Sequence, residues 1–120
     1  MIKAEIKKLH SPDIQDLRSY WPDDPECFGF LLQAIIGPKG EPGEESFDMV
    51  VCTPHWLAKK YRPDEIIVGR SYLIVFEYDF KRLALFLDRF VERCSAYTWR
   101  EVAEKLSRLG VWEFEDYNVG

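Results

Sequence analysis

The chain has 120 residues, 47% hydrophobic and 31% charged, with a formal net charge of −5 and a sequence pI of about 5.1. That length and apolar content suit a single domain over residues 1–120 and exclude a disordered tail. No apolar run approaches the roughly 18 residues of a membrane span, and "MIKAEIKKLH" alternates instead of forming a signal-peptide block. The expectation is a cytoplasmic protein with no membrane partner. The acidic balance argues against nucleic acid as a partner as well. Cys27, Cys52 and Cys94 lie far apart with no C-x-x-C pair, which argues against a disulfide framework and a zinc site. Cys52 and Cys94 fall in apolar patterns and read as core residues.

Residues 2–9 read as a strand with Ile2, Ala4 and Ile6 on one face. "SPDIQDLRSYWPDDPE" leaves room for one helical turn around Asp13 to Arg18, and Pro22 and Pro25 prevent anything longer. "FGFLLQAIIG" is apolar enough for a central strand covered on both faces or nearly so. "SFDMVVCT" is a further strand with Phe47, Met49 and Val51 on one side. Between these two, "GPKGEPGEES" carries Gly37, Gly40 and Gly43 at every third position. Three triplets are too few for a triple helix. A phosphate loop would lead into a helix, whereas this segment leads into a strand. It reads as the tip of a long β-hairpin, with glycines supplying positive φ angles.

Thr53 before Pro54 signals a helix start, followed by the short helix "PHWLAKKY". "EIIVG" and "SYLIVFEY" read as returns through the sheet, the second as an interior strand with Tyr72, Ile74 and Phe76 on one face. From Asp79, residues Phe80, Leu83, Ala84, Leu87, Phe90, Val91 and Cys94 form one helical stripe. "TWRE" is a capping box in which Thr98 and Glu101 open a second helix. Its buried face is Trp99, Val102, Ala103, Leu106 and Leu109, with Glu101–Lys105 and Glu104–Arg108 as i,i+4 pairs and Gly110 as its end. "VWEFEDY" alternates as a last strand, sending Trp112 and Phe114 inward and Glu113 and Glu115 outward. The fold class expected is α+β, a mainly antiparallel sheet of four to five strands with two C-terminal helices packed on one face.

Catalytic patterns are missing from this sequence. His10 and His55 have no metal-ligand partner at helical spacing, and neither a G-x-S-x-G elbow nor a G-x-G-x-x-G fingerprint occurs. Glu113, Glu115 and Asp116 are the arrangement closest to acid–base or Mg²⁺ chemistry. Two acids on a terminal strand nevertheless suit a solvated edge that deters edge-to-edge pairing. The expectation is no catalysis, no metal and no cofactor, with a small acid-dependent enzyme as an alternative.

Acids bunch in "DDPE" (Asp23, Asp24, Glu26), "EPGEESFD" (Glu41, Glu44, Glu45, Asp48) and "WEFED" (Glu113, Glu115, Asp116). Each bunch keeps the surface soluble, and together they would repel phosphate backbones and attract a basic protein. Trp56, Trp99 and Trp112 fall on expected buried faces. Trp21, in a turn-rich segment beside Tyr20 and three acids, either plugs the core from a loop or is an aromatic anchor ringed by charge.

The strings "FGFLLQ", "GPKGEPGEESFDMVVCTPHWL", "GRSYLIVFEYD" and "TWREVAEKL…WEFEDY" resemble the immunity protein 8 family of bacterial polymorphic toxin systems. The likeness runs from the first strand nearly to the last residue. It implies a small cytoplasmic protein that binds a cognate toxin domain and blocks it. It brings no set of functional residues and does not fix the toxin's activity; a basic nuclease is one class that an acidic inhibitor would suit. Acid clustering near aromatics makes Tyr20, Trp21, Asp23, Asp24, Glu26, Glu41, Glu44, Glu45, Glu113, Glu115, Asp116 and Tyr117 the expected partner-binding residues. A general protein-interaction module outside toxin systems would share these features.

Overall fold

The structure, a computed structural model, describes residues 1–115. Its elements are β1 (Ile2–His10), β2 (Gly29–Pro38), β3 (Glu45–Cys52), α1 (Pro54–Lys60), β4 (Tyr72–Ile74), α2 (Phe80–Glu92), β5 (Ser95–Ala96), α3 (Trp99–Leu106) and β6 (Val111–Trp112). The class is α+β, with a 6-stranded sheet in the order β4-β3-β2-β1-β5 and β6 also paired to β3. All pairings are antiparallel except β3 with β4, which is parallel and reached through α1. The sheet thus exceeds the expected strand count, and α1 adds a third helix.

Period-two alternation places Phe30, Leu32, Ala34 and Ile36 of β2 beside Phe47, Met49 and Val51 of β3, all buried. Leu83, Leu87 and Val91 of α2 and Val102, Ala103 and Leu106 of α3 complete one core against that face. Leu31, Gln33 and Ile35 point the other way and are half-buried, so β2 is the central strand expected, fully covered on one face and partly on the other. In β1 a register shift between Ile6 and Lys8 lets Ile6 pair with Ile36 and Leu9 with Ala34, keeping both residues toward the core.

The hairpin expected at "GPKGEPGEES" is present, with β2 and β3 paired up to Ile36↔Glu45. Gly40 (φ +74°) and Gly43 (φ +116°) take the left-handed backbone of the tip. Gly37 is needed for a different reason: a Cβ there would sit 1.9 Å from the carbonyl oxygen of Gly43. From β1, the Glu5 carboxylate accepts the Gly40 N–H at 3.1 Å, and Lys7 Nζ donates to the Glu41 carbonyl at 3.0 Å.

The helix starts follow the sequence. Thr53, Asp79 and Thr98 accept the N–H groups of Trp56, Arg82 and Glu101 at 3.3, 3.1 and 3.1 Å. The Thr98 hydroxyl also donates to the Glu101 carboxylate at 3.1 Å, a variant of the expected capping box. The expected i,i+4 pairs give way to others: Arg100 meets Glu104, and Lys105 Nζ donates to the Ser95 carbonyl at 2.6 Å. Helix α3 ends at Leu106, before Gly110. Gly110 lies where a Cβ would come within 2.9 Å of the Asp48 carbonyl oxygen, so close approach of two backbones explains it.

Three expected strand segments differ. Residues 65–69 lie outside every strand, with Ile66 99% exposed. "SYLIVFEY" contributes only Tyr72–Ile74, and these sit at the sheet edge instead of its interior. "VWEFEDY" contributes only Val111–Trp112, after which Phe114 is 42% exposed against the Trp112 ring. The open edge of β3 is shared between two short strands: Phe47 and Asp48 pair with β6 and Val50 to Cys52 with β4. No length of that edge is left for further ladder bonds.

Gly37→Ala should lower the urea midpoint at unchanged slope, a loss of about 1–3 kcal/mol from forcing Gly43 away. Gly40→Ala, which meets open space but keeps the left-handed backbone, should cost about 1–2 kcal/mol.

Candidate protein-binding surface

The three acidic groups do not form one patch. Asp23, Asp24 and Glu26 are exposed in the segment that enters β2 at Gly29, the end of the ladder where Gly29 faces Cys52. Glu41, Glu44 and Glu45 belong to the opposite end, where Ile36 faces Glu45. At about 3.4 Å per residue, strand β3 separates these ends by roughly 24 Å. Glu113 joins the hairpin end: its N–H donates to the Ser46 carbonyl at 3.0 Å, and its carboxylate accepts the Ser46 N–H at 2.7 Å. Asp116 and Tyr117 lie outside the described residues.

At the hairpin end most of the named acids hold the fold together. Oε2 of Glu45 accepts the indole N–H of Trp99 at 2.8 Å and of Trp112 at 2.9 Å, tying α3 and β6 to the base of β3. Glu115 takes a bidentate grip from Arg70 at 2.9 and 2.5 Å. The Arg70 hydrogen bond holds the Glu115 carboxyl below the usual carboxylate range. Glu41 and Glu44 remain exposed at the tip.

The other end is differently built. Tyr20 packs edge-on against Phe30 and Tyr78, with ring centroids 5.5 and 5.0 Å away, and Pro22 is buried. These two residues plug the core, whereas Trp21 projects outward, 71% exposed. Asp24 accepts the Glu26 N–H at 3.0 Å and its carbonyl accepts the Cys27 N–H at 3.1 Å, which shapes the loop. Among the described residues no cation pairs with Asp23, Asp24 or Glu26.

Beside that loop, β4 and α2 enclose an open, apolar cleft of about 380 Å³, walled by Ile74, Phe76, Tyr78, Leu83 and Phe86. Tyr78 donates its hydroxyl to the Leu17 carbonyl at 2.5 Å, and burial pushes its phenol up to about 12. Phe76 is 80% exposed and Phe86 50%. Arg82, Phe86, Arg89 and Arg93 recur at i, i+4, i+7 and i+11, which places them on one outward row running from the first turn of α2 to its C-cap. Arg82 is occupied by Glu77 at 2.9 Å and Asp79 at 3.9 Å, while Arg89 and Arg93 meet no carboxylate among the described residues. The signal for this row was present in the sequence, since Leu85 and Phe86 are large apolar residues outside the buried stripe.

His10 and His55 are exposed, and no group of three His, Cys, Asp or Glu side chains is placed to hold a metal among the described residues. Cys52 and Cys94 are buried, and burial raises both thiols. No helix among the described residues is long and apolar enough to cross a membrane.

A small α+β protein with an exposed tryptophan, an apolar cleft and charged rims at one end of its sheet has the anatomy of a protein-binding domain. The sequence model of immunity protein 8 matches residues 4–117, and the chain belongs to that family. It is by family an immunity protein, and membership implies a cognate toxin as partner. No curated protein and no solved structure matches the chain.

Glu45→Ala should leave two indole N–H groups without their acceptor and destabilise the protein by about 1–3 kcal/mol, with altered tryptophan fluorescence in the folded state. Glu45→Gln keeps an acceptor oxygen and should lose less. For Glu115 the folded pKa lies below the unfolded one, so its contribution is full above the unfolded value and fades as pH falls through the lowered value. The stability gap between wild type and Glu115→Gln should therefore close below about pH 4, read from urea titrations across a pH series.

Proposed function

We propose that the chain neutralises its cognate toxin domain by binding it, catalysing no reaction itself, in the cytoplasm of the cell that makes both. The observation that carries this reading is the Trp21 segment: an indole 71% exposed, beside exposed Asp23, Asp24 and Glu26 that have no cation partner among the described residues. A rigid aromatic buried on binding supplies lasting affinity, because interface energy concentrates in a few desolvated anchors. The acids around it contribute mainly to the rate of encounter, since exposed charge pairs add only about 0.2–1 kcal/mol each.

Glu41 and Glu44, at the far end of the sheet, extend the negative field to the hairpin tip. Glu45, Glu113 and Glu115 support that end through Trp99, Trp112, Ser46 and Arg70. A basic toxin, such as a nuclease whose cleft attracts phosphate, is the partner class this field would draw in.

The test uses the toxin captured from the producing strain, identified by mass and then purified. Changing Asp23, Asp24 and Glu26 together to Asn, Asn and Gln should slow association about tenfold at low salt and flatten its salt dependence. Trp21→Ala should speed dissociation about thirtyfold, the effect of losing an anchor worth about 2 kcal/mol. A Glu41→Gln, Glu44→Gln pair should change association less. Unaltered kinetics in the first two variants would remove this segment from the contact, and turnover of a substrate by the purified protein would overturn the non-catalytic reading.

A further inference from the structure

The outer edge of β1 is left largely open by the fold. Strand β5 pairs only with Ile2 and Lys3, so residues 5–10 have β2 on one side and no strand on the other among the described residues. No backbone group outside the ladder with β2 bonds residues 5–10 there either. Unpaired N–H and C=O groups along a strand are a template on which another extended chain can add. Residues 5–10, at about 3.4 Å each, offer roughly 20 Å of such edge, enough for a strand of ordinary length.

An open groove of about 810 Å³ follows this edge, between β1 and one flank of α2. Lys81, Leu85 and Asp88 recur at i, i+4 and i+7, so the flank facing the groove runs along the helix, and Leu85 at its middle is 50% exposed. A strand laid against β1 would turn alternate side chains toward Leu85. Its other side chains would join the outer face of the sheet, where Lys8 stands opposite Ile35 and His10 opposite Gln33. Charge adds a further restriction. Lys7, Lys8, Arg18 and Lys81 border the groove against only Asp16 and Asp88, in a chain whose net charge is −5. Lys7 is held by Glu5 at 2.7 Å, whereas Lys8 and Lys81 meet no carboxylate among the described residues.

We infer, resting on the toxin-binding reading above, that an extended acidic segment of the toxin adds to β1 as a further strand in this groove. The free backbone selects an extended chain, Leu85 selects an apolar side chain at alternate positions, and Lys8 selects a carboxylate on the other face. A second copy of this chain does not suit the edge, since its own β1 would bring Lys3, Lys7 and Lys8 against the same lysines. The charge requirement concerns one segment and holds whatever the toxin's net charge. Arg18 lines the groove and precedes Trp21 in the same loop, so the added strand and the tryptophan anchor lie within reach of one partner.

Amide hydrogen exchange, read by mass spectrometry on the free protein and on its complex with the purified toxin, tests the edge directly. Amides within residues 5–10 that point away from β2 should exchange fast in the free protein and about tenfold or more slower in the complex, where they donate to the added strand. Lys8→Glu should weaken toxin binding about fivefold or more, because a like charge then opposes the carboxylate, and Lys8→Met should weaken it less. Ala84→Trp fills the groove and should remove the protection of β1. Leu85→Asp, at an exposed position, gives the same reading should the tryptophan variant fail to fold. Toxin that binds while exchange in β1 stays unchanged would overturn this inference and leave the toxin-binding reading standing. Toxin that does not bind at all would overturn both. Tighter binding by Lys8→Glu would overturn the acidic segment, and protection of β1 that grows with the concentration of the free protein would assign the edge to a second copy and overturn the toxin strand.

Discussion

The ladder between β2 and β3 places nearly everything else. Its register sets Phe30 opposite Val51, Leu32 opposite Met49 and Ala34 opposite Phe47, so the large side chains of both strands fall on the same face. A slip of one residue would turn this whole set toward water. With the face fixed, β1 adds to the free edge of β2, while β4 and β6 divide the free edge of β3. Helices α2 and α3 then have one apolar surface to cover, and their own stripes match it.

The division of the carboxylates follows from that frame. Glu45 stands at the last paired position of β3, where Trp99 and Trp112 arrive from α3 and β6, and a half-buried anion is stabilised by two indole donors. Glu115 meets Arg70 as the chain turns after β6. Asp23, Asp24 and Glu26 have no such arrivals, because their loop precedes β2 at the open end of the sheet. Acidity alone does not separate these groups. What separates them is whether another element brings a donor within hydrogen-bonding reach.

A related division applies to the aromatics. Tyr20 and Trp21 are consecutive, yet one ring packs on Phe30 and Tyr78 while the other faces water. In α2 the buried stripe leaves Leu85 and Phe86 outside, and the arginines at Arg89 and Arg93 then border exposed apolar surface instead of merely solvating the helix. The chain belongs to the immunity protein 8 family, and membership implies a cognate toxin as partner.

Local sequence patterns by themselves determined β1, β2, β3, α2 and α3, the caps at Thr53 and Thr98, the hairpin tip and the α+β class, because each rests on neighbours close in sequence. The family likeness was equally legible in runs such as "GPKGEPGEESFDMVVCTPHWL". Only the tertiary structure decided which apolar segments would find a sheet edge. "EIIVG" has the composition of a strand but joins no sheet edge, and Val111–Trp112 is a strand of 2 residues only because β3 offers it two partners. It also decided that Glu45 is a structural acceptor and that Trp21 lies near an apolar cleft, since both depend on residues brought together from distant parts of the chain. Local propensity is written in a few consecutive residues, whereas competition for an edge or a donor is settled only when the whole chain has folded.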